Sequence, residues 1–251
     1  IFDSLHKSKA GTPLGGGFLL ILTTTILFFL SFPIFYYFWV PITSIYANIG
    51  SEIKILIFTF VSFSFIGLYD DMKKVFFGTS EQFFGLRLRH KLLLEIILAL
   101  IISYWLYWEL RIDIIHIPFL GVFHIGMLYI PFAAFVIISF ANAYNITDGL
   151  DGLAAGVLFI ALCAFWAISH AILDTPLALF IGIWMGGLIA FLYFNVYPAR
   201  IFLGDVGALS FGATFAIIGL LLGKPFSLLI IGGFFVTEVA SSFLQLVSKK
   251  Y

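Results

Sequence analysis

The chain alternates long apolar runs with short polar breaks, and eight of the runs are long enough, or nearly so, to cross a bilayer as helices. They cover about 17–40, 53–69, 92–108, 127–142, 153–170, 176–194, 207–222 and 227–247. A spanning helix needs about 20 apolar residues, because only internal bonding satisfies its backbone N–H and C=O groups in hydrocarbon. The pattern predicts an all-α, polytopic transmembrane bundle of about eight spans. Connections are mostly short and no repeat or low-complexity linker interrupts them, so one integral membrane domain over 1–251 is expected. Pro33 inside the first run predicts a kink. Between the third and fourth runs, "ELRIDIIHIPFLGVFHIG" (Glu109 to Gly126) partly alternates apolar and polar residues about a Pro-Phe-Leu-Gly turn. That pattern predicts a small β-hairpin, with an irregular loop as the alternative.

Composition agrees with the pattern. Hydrophobic residues make up 62% of the 251, charged residues only 10%, and the mean hydropathy is +1.14, more apolar surface than a soluble domain of this size can bury. A net charge of zero excludes a globally basic nucleic-acid binder. The one cysteine, Cys163, permits no internal disulfide. The chain opens on Ile1 rather than methionine, and a piece of a longer protein is expected.

Where the charges fall orients the bundle. Alternating the eight runs across the membrane puts Lys7, Lys9, Lys73, Lys74, Arg87, Arg89, Lys91, Arg200, Lys249 and Lys250 on one face, and Lys54, Arg111 and Lys224 on the other. By the positive-inside rule the first face is cytoplasmic. Most carboxylates go with it, including Asp70, Asp71, Asp148, Asp151 and Asp205, whereas Glu95 and Glu238 fall inside runs.

Four polar motifs gather on that face from distant parts of the chain: "KAGTPLGGG" (Lys9 to Gly17), "YDDMKK" (Tyr69 to Lys74), "NAYNITDGLDGLAAG" (Asn142 to Gly156) and "FNVYPARIFLGDVGAL" (Phe194 to Leu209). Each alone has a plain structural use. Glycines start and pack helices, an acidic-basic cluster can be a solvated helix end, and Asp205 could cap the helix that follows it. Together they need another explanation. Asn142, Asn145, Asp148 and Asp151 recur every third residue, a winding polar band on a helix that lipid cannot satisfy, with Gly149 and Gly152 expected to loosen it beside a wet cleft. Carboxylates with lysines suit phosphate chemistry, in which acids hold Mg²⁺ and ammonium groups neutralise the remaining oxygens. The glycine segment lacks the Gly-Lys-Ser/Thr ending of a Walker loop, the aspartates do not alternate as in an EF-hand, and the five histidines are scattered.

"KAGTP" followed by glycines, an Asp-Asp pair ending a helix, "NAYNITDGLDGLA" and "IFLGDVGAL" occur in an order and spacing that resemble the polyprenyl-phosphate sugar-1-phosphate transferase family, and the first motif points to its muramoyl-pentapeptide branch. The resemblance implies a ten-span, often homodimeric bundle in the bacterial inner (plasma) membrane with a cytoplasmic site, of which this chain supplies the second to ninth spans. It implies Mg²⁺-dependent transfer from UDP-N-acetylmuramoyl-pentapeptide to undecaprenyl phosphate, with release of UMP and formation of the first lipid-linked peptidoglycan precursor. It assigns catalytic parts to Asp70, Asp71 and Asp205: Asp205 as metal ligand with Asp148 as a second candidate, and the pair serving the lipid phosphate with Asp70 as candidate base. It makes Asn145, Asp148 and Asp151 a polar wall for the sugar nucleotide, and gives substrate contacts to Lys9, Lys91 and Asn195. Phe202 and Gly204 would hold uracil by stacking and backbone hydrogen bonds.

Two departures follow. Leu14-Gly15-Gly16-Gly17 stands where the family carries Thr-Met-Gly-Gly, and the family's His-rich segment beyond the ninth span has no counterpart before Tyr251. Two other readings compete: transfer of N-acetylglucosamine phosphate to a polyprenyl phosphate for another wall polymer, and ion-coupled transport. The transporter predicts inverted repeats and ionisable residues at the bilayer midplane, whereas here the polar motifs crowd one face.

Overall fold

The computed structural model describes residues 12–77 and 88–248. Helices dominate: α1 (Gly16–Tyr37), α2 (Ile49–Phe77), α3 (Leu88–Trp108), α4 (Tyr129–Thr147), α5 (Leu153–Ala171), α6 (Thr175–Asn195), α7 (Gly204–Leu221), the short α8 (Ser227–Ile231) and α9 (Gly233–Ser248). Among the described residues, seven helices are long and apolar enough to cross a membrane. The protein is an integral membrane protein.

One helix organises the rest. Sixteen of the 18 residues of α7 are buried, and a helix apolar all round belongs inside a bundle. It packs chiefly against α2 and α4, with α1 alongside. Glycines permit the closest approaches. A Cβ on Gly67 of α2 would lie 2.0 Å from the Asp205 carbonyl oxygen, and one on Gly212 of α7 would lie 2.2 Å from the Phe140 carbonyl oxygen. At mid-depth the rings of Phe60, Phe180, Trp184 and Phe211 interlock, with Phe60 and Phe211 stacked at 5.9 Å and Trp184 set edge-on to Phe211 at 5.0 Å. By contrast α1 leaves Leu19, Leu22, Ile26, Leu27, Phe29 and Leu30 exposed, an apolar face that suits acyl chains.

The expected hairpin is present. Strands β1 (Ile114–Ile117) and β2 (Gly121–His124) pair antiparallel, from Ile114 opposite His124 to Ile117 opposite Gly121. Pro33 does not end α1, which runs on for one more turn to Tyr37. Two expectations need correction. The eighth run is not one continuous span: it breaks between α8 and α9 at Gly232, where a Cβ would sit 2.6 Å from the Leu228 carbonyl and 2.7 Å from the Phe140 ring. Tight packing on α4 fixes that break. Likewise Asn142 and Asn145 lie on α4, but the helix stops at Thr147, so Asp148 and Asp151 belong to the following turn rather than to the same helical band. Gly152 adopts φ +75°, the left-handed conformation glycine takes without strain, and starts α5.

Candidate functional site

The site forms where the C-terminal ends of α2 and α4 and the N-terminal end of α3 meet the N-terminus of α7. Asp70 and Asp71 are adjacent on α2 and therefore point in different directions, about 100° apart around the axis. Their duties divide accordingly. Asp71 Oδ2 accepts a hydrogen bond from the Val206 N–H at 3.1 Å, satisfying one orphan donor in the first turn of α7. Gly204, at φ +76°, makes room, since a Cβ there would come within 2.6 Å of the same oxygen.

Asp70 faces the ion-pair network. Lys74, one turn along α2, places its Nζ 2.9 Å from Asp70 Oδ2 and 3.0 Å from Asp205 Oδ2, with Asp71 Oδ1 at 3.9 Å. Lys91, in the first turn of α3, places its Nζ 2.8 Å from Asp205 Oδ2 and 3.8 Å from Asp70 Oδ2. Asp70 and Asp71 are buried, and Lys91 nearly so. Two like charges about 4 Å apart repel by about 4 kcal/mol at an effective dielectric of 20, and the ammonium groups offset this. Asn145 completes the arrangement. With its amide oriented to suit its neighbours, it donates to Asp205 Oδ1 at 3.3 Å and accepts from Lys91 Nζ at 3.2 Å. One turn deeper, Asn142 Nδ2 donates to Glu95 Oε2 at 2.6 Å.

A second cluster lines the turn after α4. Asn195, buried at the end of α6, accepts from the Gly152 N–H at 3.0 Å and donates to the Ile201 carbonyl at 2.9 Å. Asp151 Oδ2 accepts from the Ala199 N–H at 3.1 Å. These two side chains therefore lash the 148–152 turn to the 196–203 loop. That loop also binds the glycine-rich segment through the backbone: Phe202 N donates to the Pro13 carbonyl at 3.0 Å, Gly16 N to the Phe202 carbonyl at 3.0 Å, and Gly17 N to the Leu203 carbonyl at 2.9 Å. Asp148 follows the last residue of α4, its N–H on the Tyr144 carbonyl at 3.0 Å.

Asp70, Asp71, Asp205, Lys91 and Asn145 thus converge, with Gly204 supplying the close approach. Asp151 and Asn195 are occupied in holding two loops together, a use that the residue pattern alone did not reveal. Lys9 lies outside the described residues. Lys74 is a site residue that the sequence left among solvated helix-end charges; its i+4 spacing from Asp70 was the available signal.

Among the described residues no three His, Cys, Asp or Glu side chains converge on one point as a metal cage. The donors nevertheless fit Mg²⁺, which favours one or two carboxylates and completes its shell with water and phosphate oxygens. An ammonium held 2.9 and 3.0 Å from the Oδ2 atoms of Asp70 and Asp205 shows that a cation is stabilised between them.

Residues 53–223 match the sequence profile of Glycosyl transferase family 4. Over 98% of its length the chain is 36% identical to a phospho-N-acetylmuramoyl-pentapeptide-transferase of Clostridium novyi (strain NT), covering 71% of that protein. It is equally similar, at 36% identity over 98% of the chain, to proteins of the same name from Clostridium perfringens (strain 13 / Type A) and Caldanaerobacter subterraneus subsp. tengcongensis, covering 72% of each.

Proposed function

The chain belongs to glycosyl transferase family 4, among the phospho-N-acetylmuramoyl-pentapeptide-transferases, and from that premise we propose that it moves phospho-N-acetylmuramoyl-pentapeptide from UDP to undecaprenyl phosphate. UMP leaves and the first lipid-linked peptidoglycan precursor forms. The observation that carries this reading is the carboxylate-lysine network at the membrane surface, where Asp70, Asp205, Lys74 and Lys91 meet within 4 Å. One substrate is a water-soluble nucleotide and the other a lipid-borne phosphate, so the shared site must lie at an interface.

In this reading an oxygen of the lipid phosphate attacks the phosphorus attached to the sugar. The bond from that phosphorus to the bridging oxygen breaks, and the electron pair leaves on UMP. Asp70 accepts the proton of a singly protonated lipid phosphate. Lys74 and Lys91 neutralise the diphosphate as compact point charges. Asp71 keeps its bond to the Val206 N–H, fixing the N-terminus of α7, whose partial positive charge favours phosphate. Asn145 orients Asp205 and Lys91 toward each other. Asp205, with Asp148 as the further candidate, would hold Mg²⁺, which would supply Lewis-acid stabilisation of charge developing on the diphosphate. Phe202 and Gly204 are proposed to receive uracil, with Lys9, Asp151 and Asn195 along the sugar-nucleotide path. The charge asymmetry favours a cytoplasm-facing site in the bacterial inner membrane, and we propose a homodimer by analogy with the family.

The test is UMP release by the complete protein in undecaprenyl-phosphate vesicles. Release with UDP-N-acetylmuramoyl-pentapeptide, lost on chelation and restored by Mg²⁺, is expected. Release only with UDP-N-acetylglucosamine would replace this reading with the other wall-polymer transfer.

A further inference from the structure

Glu95 is a buried acid close to the site that the reaction leaves unused. It is fully enclosed. Its Oε2 accepts from Asn142, while its Oε1 is buried without a hydrogen-bond partner. Such an oxygen is an exception that calls for an explanation.

The surroundings supply one. Because α3 and α4 pass in opposite directions, Lys91 meets Asn145 and, one turn deeper, Glu95 meets Asn142, forming two polar rungs. Glu95 is four residues beyond Lys91, so the two share one helix face, and a helical side chain leans toward the helix N-terminus, here toward the Lys91 turn. Lys91 now spends its charge on Asp205, the same oxygen that Lys74 contacts. A divalent cation on Asp205 would repel both ammonium groups from it. Lys74 retains Asp70 beside it, at 2.9 Å. Asp70 also lies 3.8 Å from Lys91 Nζ, but Lys74 holds it at 2.9 Å, so Lys91 gains from a second anion of its own.

Resting on the proposed Mg²⁺ role of Asp205, we infer that Glu95 is a positioning residue, the berth that receives the Lys91 ammonium when a divalent cation takes Asp205. The ammonium retreats one turn, Oε1 gains its missing partner, and the positive charge stays beside the diphosphate without competing for the metal. A purely structural Glu95 would act only as an acceptor for Asn142, and a glutamine amide oxygen would fill that part equally well.

Mn²⁺, followed by its spin-resonance signal, probes the site without turnover in the complete protein. Glu95→Gln should weaken Mn²⁺ binding about tenfold, equivalent to about 1.4 kcal/mol, with the metal-free Tm held near the parent value. In a Lys91→Met background, where no ammonium needs a berth, the same change should shift binding less than about threefold; that non-additivity is the signature of a shared interaction. Unchanged Mn²⁺ affinity in Glu95→Gln, or equal weakening in both backgrounds, would overturn the inference and leave the metal reading standing. A parent protein that binds no Mn²⁺ removes the metal reading, and the inference with it. Should Glu95→Gln unfold, amine labelling of the parent decides: Lys91 should react no faster with Mn²⁺ than without it, and faster labelling would show an ammonium released to water and refute the berth.

Discussion

Gly67→Ala tests how the site is assembled, without touching an ionisable group. Its new Cβ would lie 2.0 Å from the Asp205 carbonyl oxygen, 2.3 Å from the carbonyl carbon and 2.4 Å from Val206 N. All three are backbone atoms, so no side chain can swing aside. Restoring ordinary contact, which begins near 3.4 Å, requires α2 and α7 to part locally by about 1.4 Å. Overpacking of this kind costs about 1–3 kcal/mol, or a Tm lowered by about 4–8 °C for a middle value of that range in a chain of this length. The functional cost is larger. The bond from Val206 N–H to Asp71 would stretch beyond hydrogen-bonding distance from its present 3.1 Å. Asp205 would move away from Asp70 by a similar amount, and misplacement of about 1 Å at a reacting centre costs about 10²-fold in rate. UMP release and thermal unfolding in the same detergent read both effects. Gly156→Ala on α5 is the control, because nothing lies within 4 Å of its added Cβ; parental activity and an equal or slightly higher Tm are expected. A Gly67→Ala protein with parental turnover and parental Tm would refute the close helix contact as the frame of the site.

Three further outcomes are expected. Asp205→Asn should lower turnover at least about 10³-fold and also lower the Tm, because removing one partner of a buried pair costs about 3–5 kcal/mol, toward the low end here since Lys74 is partly exposed and keeps Asp70; a helix-capping Asp205 would tolerate Asn with little loss, so near-parental activity at limiting Mg²⁺ would contradict the assignment. Asn195→Ala should leave the Gly152 N–H and the Ile201 carbonyl unpaired, at about 1–3 kcal/mol each, and loosen the 196–203 loop, seen as faster proteolytic nicking there; an unchanged nicking rate would contradict its lashing role. On the opposite face, burial raises the pKa of Asp174 above the usual carboxylate value, so the folded state keeps a proton that the unfolded state has released, and stability should fall as pH rises from the ordinary Asp value through the raised one; Asp174→Asn, which can still accept from the Leu177 N–H, should flatten that slope in a Tm-against-pH series, and an unaltered slope would exclude Asp174 as its source.

Much of the bundle was legible because lipid imposes a length and a composition on each span, and the hairpin because its turn and alternation are local signals. What remained hidden depends on distant packing. The last run breaks at Gly232, where an added Cβ would come within 2.7 and 2.8 Å of the Phe140 and Phe215 rings of α4 and α7. The resemblance has Asp70 and Asp71 serve the lipid phosphate together, with Asp70 as candidate base, yet one joins the lysine network and the other caps α7, a division set by where Val206 arrives. Asp205 could be singled out from its small neighbours, but whether it or another residue capped the helix could not; Asp71 takes that duty from another helix. Lys74 was visible as a charge, and only the arrival of Asp205 made it a bridge.

The enclosure of α7 has a consequence for biogenesis. Its main neighbours, α2 and α4, are synthesised well before it, and chains emerge from the ribosome N-terminus first. Until residue 206 has entered the membrane, Asp71 has no Val206 amide to bind, and until residue 205 has done so, Lys74 and Lys91 have no Asp205 between them. A nascent chain carrying every earlier span therefore lacks the assembled carboxylate-lysine network. The network is complete only once this late span has joined the earlier ones, so its formation reports that the bundle has closed.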